Sequence, residues 1–364
     1  MKPDKVLLIL NIPPPYGGGE IRAKILYDYF IGNSNYYLIT NLNKSQNKAT
    51  QGKFTTRNIF NNINYQTKNC FSIFKLKPKV VYISIPKKIV PLLKILPVIF
   101  TCKLVNAKLV GELAGSRFFF LEKKGIIRKA GKIILKQFYQ IRLLGISVQQ
   151  QMRNYDITNT IVFDNGTDVP DYSLNIPKKI KKDTTQISFI GALHKNKGIY
   201  LLCETAKILS EKNIAFNMNI VGEWENEDDK QAISQYIKSQ KLDSKIIFHG
   251  LKHGDDKWNI LANTDIYLFP SYNEGQPISI IEALAFGIPV ITSNVGAIPD
   301  TVKNNENGFI IEEQNAQLYA DKIIYLIENP DKFYKISAQN LKSYKERFTV
   351  ENYCKSVEKW LINI

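Results

Sequence analysis

Short apolar runs alternate along the chain with longer stretches in which apolar positions recur every three or four residues. The first pattern reads as buried strand and the second as amphipathic helix, and their alternation is the βαβ signature of parallel sheets covered by helices. The runs predict strands at 6–10, 36–40, 80–85, 109–113, 142–148 and 160–164, and a second set at 186–193, 217–222, 245–250, 266–269, 290–292 and 308–311. Between the sets, PDYSLNIPKKIKKDTT is polar and holds two prolines, which marks a linker, taken as 173–185. The expectation is α/β throughout, with a first domain at 1–172 and a second at 186–340. The last segment, 341–364, ends in Val350, Tyr353, Val357, Trp360 and Leu361 at helical spacing.

A chain of 364 residues with 44% apolar content is long enough for two such cores and too apolar for disorder. Cys70, Cys102, Cys203 and Cys354 are scattered without paired spacing, and the three histidines are dispersed, so neither a disulfide framework nor a metal site is expected. No apolar run reaches the ~18 residues that span a bilayer. The opening residues look like a first strand and not an export signal, so the expected compartment is the cytoplasm. Charge is divided unevenly. Residues 1–172 hold 26 Lys/Arg against 9 Asp/Glu, and residues 173–364 hold 23 against 24. A polycationic half beside a neutral one implies an anionic surface met by the first half.

Candidate chemistry gathers at predicted strand ends. In SYNEGQPISIIEALAFGIPVITS, the strand 266–269 breaks at Pro270-Ser271 and helical periodicity begins at Ile278. Glu274 then sits in the turn and Glu282 about two helical turns on. The carboxyl end of a parallel strand entering a helix is where α/β proteins hold phosphorylated ligands. Two carboxylates there suit sugar and ribose hydroxyls, and the N–H groups of Gly275, Gln276 and Ile278 suit negative charge. In SFIGALHKNKGIY, Lys195 and Lys197 occupy the loop after strand 186–193, where cations can neutralise a diphosphate without a metal. In NIPPPYGGGEIRAK, glycines 17–19 let backbone approach a ligand closely, although the pattern is neither G-x-G-x-x-G nor a P-loop.

Asp265, Pro270, Ser271, Glu274, Gly275, Pro277, Glu282, Ala283, Ala285, Gly287, Pro289 and Val290 together resemble the signature of retaining glycosyltransferases of family 4, whose fold is GT-B. The resemblance implies two Rossmann-like, doubly wound domains facing a central cleft, with the last helix returning to the first domain. It implies a nucleotide-diphosphate sugar donor, with UDP or GDP as nucleotide. Glu274 and Lys197 would be catalytic. Gly18, Gly19, Lys195, Leu251, Gly275, Gln276, Pro277, Ile278 and Glu282 would contact the donor. No cofactor or metal is implied. Two positions depart from the pattern: Ala192 stands where the family has Arg, and Ala114 where it has His.

A basic amphipathic stretch, Lys123, Lys124, Arg128, Lys129, Lys132 and Lys136 around Ile126, Ile127, Ala130, Ile133, Ile134, Phe138 and Ile141, suits an anionic bilayer face. The chain has no nucleic-acid module; the family resemblance, taken with the basic charge of the first half, implies a lipid-linked or saccharide acceptor at the inner membrane surface, in O-antigen, capsule or exopolysaccharide assembly. The competing readings are a sugar-nucleotide epimerase on the same fold and an inactive membrane-bound scaffold.

Overall fold

The computed structural model describes residues 5–13, 18–42, 56–113, 115, 118–171, 176–180 and 183–364, with side chains from residue 63 in the helix that starts at Thr56. Residues up to Asn165 together with Val350–Ile364 form one compact unit, and Gly166–Thr349 form another.

In the first unit six parallel strands, β1 Val6–Ile12, β2 Tyr36–Leu42, β3 Val80–Ser84, β4 Lys108–Glu112, β5 Gln140–Leu143 and β6 Thr160–Val162, lie in the order β2-β1-β3-β4-β5-β6. Its helices are α1 Gly18–Phe30, α2 Thr56–Leu76, α3 Ile89–Leu93, α4 Leu96–Leu104, α5 Phe119–Glu122, α6 Ile126–Leu135 and α7 Ile146–Arg153. Val6 to Leu10 are buried without interruption, as a central strand covered on both faces requires. The direction in which successive strands are added reverses beside β1. Right-handed crossovers therefore put α1 on one face of the sheet and α2 to α7 on the other.

In the second unit β7 Thr185–Ile190, β8 Phe216–Val221, β9 Ile246–Phe248, β10 Ile266–Phe269, β11 Val290–Ser293 and β12 Gly308–Ile311 form the order β12-β11-β10-β7-β8-β9, again all parallel. The helices are α8 Ile199–Glu211, α9 Glu227–Ser239, α10 Gly254–Ala262, α11 Ile278–Ala285, α12 Ile298–Thr301, α13 Ala316–Glu328 and α14 Pro330–Ser343. Helix α15, Val350–Ile362, belongs to the first unit, where Tyr353, Val357, Trp360 and Leu361 join Leu8, Leu26, Phe30 and Val110 in one core.

Three details differ from the sequence pattern. The run 142–148 is not one strand, because β5 stops at Leu143, Gly145 caps the next helix and Ile146 starts α7. The basic helix is shorter than 126–141: residues from Gln140 pair with β4 and β6, so the helix ends at Leu135 and Ile141 is sheet core. The domain boundary falls at Asn165, and the chain rejoins the first unit at Val350, not at 341. Tyr344 and Phe348 are held in the second unit's core, and the Tyr344 hydroxyl donates to the Thr167 carbonyl at 2.8 Å. Among the described residues no helix is long and apolar enough to cross a membrane.

Candidate active site

In the second unit the winding reverses between β7 and β10. The carboxyl ends of these two neighbouring strands thus open the crevice where doubly wound sheets bind ligands. After β7 the chain makes a single tight turn, Lys195–Lys197, ending at Gly198. Gly198 has φ of +83°, and a Cβ there would lie 2.1 Å from the Pro270 carbonyl oxygen, so only glycine lets this turn press against the end of β10. The Tyr272 N–H donates to the Asn196 carbonyl at 3.0 Å and fixes the two loops together.

That docking brings Lys197 to Glu274. The lysine ammonium donates to Glu274 Oε1, which also accepts from the Ser271 hydroxyl at 2.8 Å. Glu274 is 9% exposed, and such partners replace the hydration that a carboxylate loses on burial. Its backbone is equally constrained. Gly296, at φ +60°, passes so close that a Cβ would lie 1.9 Å from the Glu274 carbonyl oxygen, and the Ala297 N–H donates to the Gly275 carbonyl at 2.9 Å.

Helix α11 follows directly, with Pro277 at its cap and Ile278 as its first residue. The first N–H groups of a helix have no partner within it, and the dipole adds partial positive charge at this end. The Gln276 side chain is committed to structure: it is buried and donates to Thr301 Oγ1 at 3.0 Å. On the second turn of α11, Glu282 is 6% exposed and receives the Lys257 ammonium of α10 at 2.7 Å. Burial pushes the Glu282 carboxyl up, and Lys257 offsets only part of that push. Lys257 also lies over the Trp258 ring at 3.9 Å.

The structure thus joins Lys197 with Glu274. It leaves Lys195 exposed, its N–H donating to Asp229 at 3.1 Å, and Leu251 half exposed after β9. Sequence reasoning missed Lys257, and a lone lysine in a helix bearing two aspartates carried no signal of it.

Gly18 and Gly19 belong to the first unit, where they open α1. The buried stripe of α1 runs through Arg22, Ala23, Leu26 and Phe30, leaving Ile21 and Tyr29 partly exposed. Arg22 Nε donates to Glu112 Oε1 at 2.8 Å, and Tyr82 donates to Glu112 Oε2 at 2.9 Å. Arg142 Nη1 makes a charge contact with Glu112 Oε2 at 2.9 Å, without a well-aligned hydrogen bond. Burial alone would raise the Glu112 carboxyl. The two guanidiniums outweigh it and hold the carboxyl at about 2, from an ordinary 4.5. Ala114, where a sugar-contacting His is missing, lies outside the described residues.

Of the six basic residues around α6, Lys123, Lys124, Lys129 and Lys136 are exposed. Arg128 is turned inward, donating to the carbonyls of Leu121 at 2.8 Å and Lys123 at 2.7 Å, and Lys132 pairs with Asp156 at 2.6 Å. The inward apolar side of α6 holds Ile134, with Phe138 following it, whereas Ile126, Ile127 and Ile133 are exposed. Among the described residues no group of three or more His, Cys, Asp or Glu could hold a metal ion.

Residues 174–347 match the family model described as Glycosyl transferases group 1. The capsular polysaccharide biosynthesis glycosyltransferase CapM of Staphylococcus aureus is 30% identical over 171 residues, 47% of this chain and 44% of that protein. An Escherichia coli UDP-Gal:alpha-D-GlcNAc-diphosphoundecaprenol alpha-1,3-galactosyltransferase is 27% identical over 192 residues, 50% of this chain and 48% of that one. The chain spans about half the length of these curated relatives. Among solved structures, Anabaena Alr3699/HepE in complex with UDP superimposes with a TM-score of 0.76 at 15% identity, covering 99% of this chain and 100% of that one. At that identity the likeness carries the fold, which is GT-B.

Proposed function

We propose, from the match of residues 174–347 to the family model described as Glycosyl transferases group 1, a retaining glycosyltransferase that moves a hexose-type sugar from a nucleotide-diphosphate donor to a lipid-linked saccharide. The observation that carries the reading is the meeting of Lys197 and Glu274 at the switch point of the second sheet, beside the first turn of α11. In this reading Lys197 and the free helix N–H groups neutralise the departing diphosphate. Glu274, held by Ser271, accepts hydrogen bonds from sugar hydroxyls, and Glu282 accepts from the ribose.

The bond from the anomeric carbon to the diphosphate oxygen breaks while the acceptor oxygen bonds to the same face of that carbon. The acceptor's proton passes to the leaving phosphate oxygen. This route uses no metal and no enzyme nucleophile, and Glu274 is already engaged by a cation and a hydroxyl. The E. coli relative's name supports retention, because it pairs a UDP-sugar, whose anomeric phosphate is α, with an alpha product. Surface-polysaccharide assembly fits the capsular and diphosphoundecaprenol relatives. The exposed cations around α6 support a peripheral position on the cytoplasmic face of an anionic membrane.

The test is nucleotide release. Purified protein is incubated with UDP- and GDP-sugars, with and without a polyprenyl-diphosphate saccharide. The wild type should release nucleotide, faster with acceptor, and Glu274→Gln should do so about ten- to a hundredfold more slowly. An epimerase would interconvert the sugar without releasing nucleotide, and a scaffold would do neither.

A further inference from the structure

From Tyr29 to Gly111 the sequence holds thirteen lysines and arginines and not one Asp or Glu. This stretch includes α2, α3 and α4, which lie on the face of the first unit's sheet opposite α1, with α2 and α4 packed against each other. Both helices are apolar on two sides. Their inner residues fill the core: Ile73 of α2, and Val98, Ile99 and Cys102 of α4, are buried. Their outer rows should then be polar, as on any solvated surface helix. Instead Phe71 and Phe74 are 65% and 60% exposed on α2, and Phe100 and Leu104 are 64% and 63% exposed on α4. Ile63 continues the row on α2, Leu96 continues that on α4, and Val90 and Leu93 of α3 are exposed as well.

An aromatic-rich apolar face of this extent on a monomer marks an interaction site. Its charge identifies the occupant. Lys68, Lys75 and Lys103 are exposed on the same helices, and no carboxylate interrupts them within the stretch. Large exposed apolar side chains that share their helices with exposed lysines and no carboxylate fit the surface of an anionic bilayer, with rings and aliphatic chains in the acyl boundary and ammonium groups reaching the phosphates.

We propose that the outer face of α2 and α4 inserts into an anionic phospholipid bilayer, with Phe71, Phe74, Phe100 and Leu104 as the inserted side chains. This rests on the membrane reading above and deepens it. The cations of α6 attract the protein at long range, and the apolar face of α2 and α4 makes the contact that salt does not screen.

The experiment is sedimentation of the full chain with phosphatidylcholine vesicles, with and without phosphatidylglycerol, at low salt and at ~1 M salt, where screening reduces to ~3 Å. Wild type should bind the phosphatidylglycerol vesicles and keep a salt-resistant fraction. Phe71→Ser/Phe74→Ser/Phe100→Ser/Leu104→Ser should lose that fraction and bind at least about tenfold more weakly at low salt. The four side chains are exposed, so thermal unfolding and nucleotide binding should be unchanged. As a second readout, the tryptophan of Phe100→Trp should be quenched by brominated lipid. If the fourfold variant sediments like wild type and that tryptophan is not quenched, the proposal falls. If removing α6 charge abolishes binding while the fourfold variant keeps it, the membrane reading stands and this face is not its contact. If wild type ignores vesicles altogether, both fall. If wild type self-associates without lipid and the fourfold variant does not, the occupant is a second copy and the proposal is overturned.

Discussion

Glu112→Gln should lower the stability of the first unit at neutral pH and remove the Glu112 contribution to its acid sensitivity in a defined window. The Glu112 carboxyl lies at about 2 in the folded protein against an ordinary 4.5. A folded value below the unfolded one means that the ionised group contributes stability above about pH 4.5, and that this stability is lost as pH falls toward about 2. A depression of that size corresponds to about 3 kcal/mol. The amide variant leaves Arg22 and Arg142 buried beside a neutral group, at a cost of roughly 3–5 kcal/mol at pH 7. On acidification the wild type loses its ion pairs too, so the gap between the proteins should close by about 3 kcal/mol. Other carboxylates titrate in both and cancel in the difference. Trp360 is the only tryptophan of the first unit, donating to Gln140 and lying against Tyr82 and Phe163. Urea unfolding followed by its fluorescence, in a Trp224→Phe/Trp258→Phe background, therefore reads this unit. A gap that stays constant between neutral and acid pH would refute the assigned ionisation of Glu112.

Gly198→Ala should destabilise the second unit by at least about 2 kcal/mol and lower turnover, because a Cβ at φ +83° strikes the Pro270 carbonyl and displaces Lys197; urea unfolding and donor turnover check both. Lys257→Met should leave Glu282 buried without its cation and cost roughly 3 kcal/mol, read by urea unfolding; unchanged stability would mean that Glu282 is already neutral there. Changing Lys123, Lys124, Lys129 and Lys136 to Gln should weaken binding to anionic vesicles by up to about 4 kcal/mol while leaving nucleotide affinity intact, as sedimentation and calorimetry would report.

The strands were legible because parallel sheets buried on both faces read as uninterrupted apolar runs, VLLIL and IYLF among them. The run 142–148 misled because Ile146 and Val148 continue the apolar composition while Gly145 has already turned the chain into a helix. The Glu274 and Glu282 positions were visible as spacing, and Lys197-Gly198 as a loop motif. What spacing could not show is that Lys197 and Glu274 are mutual partners, since that contact depends on β7 and β10 being neighbours although the two residues stand 77 positions apart. Arg22 was hidden for a related reason. An arginine inside a helix reads as solvated, and only the fold reveals that it faces a carboxylate 90 residues away. The outward rows of α2 and α4 look like ordinary core residues in the sequence, and their exposure is a fact of three dimensions.

In the proposed reading, the second unit holds a nucleotide diphosphate through the end of β10 and α11. Isothermal titration of UDP and GDP into wild type and Glu282→Gln addresses it most directly. One of the two nucleotides should bind the wild type, and Glu282→Gln should weaken that binding about ten- to a hundredfold. Binding of neither nucleotide, or equal affinity in both proteins, would contradict the account.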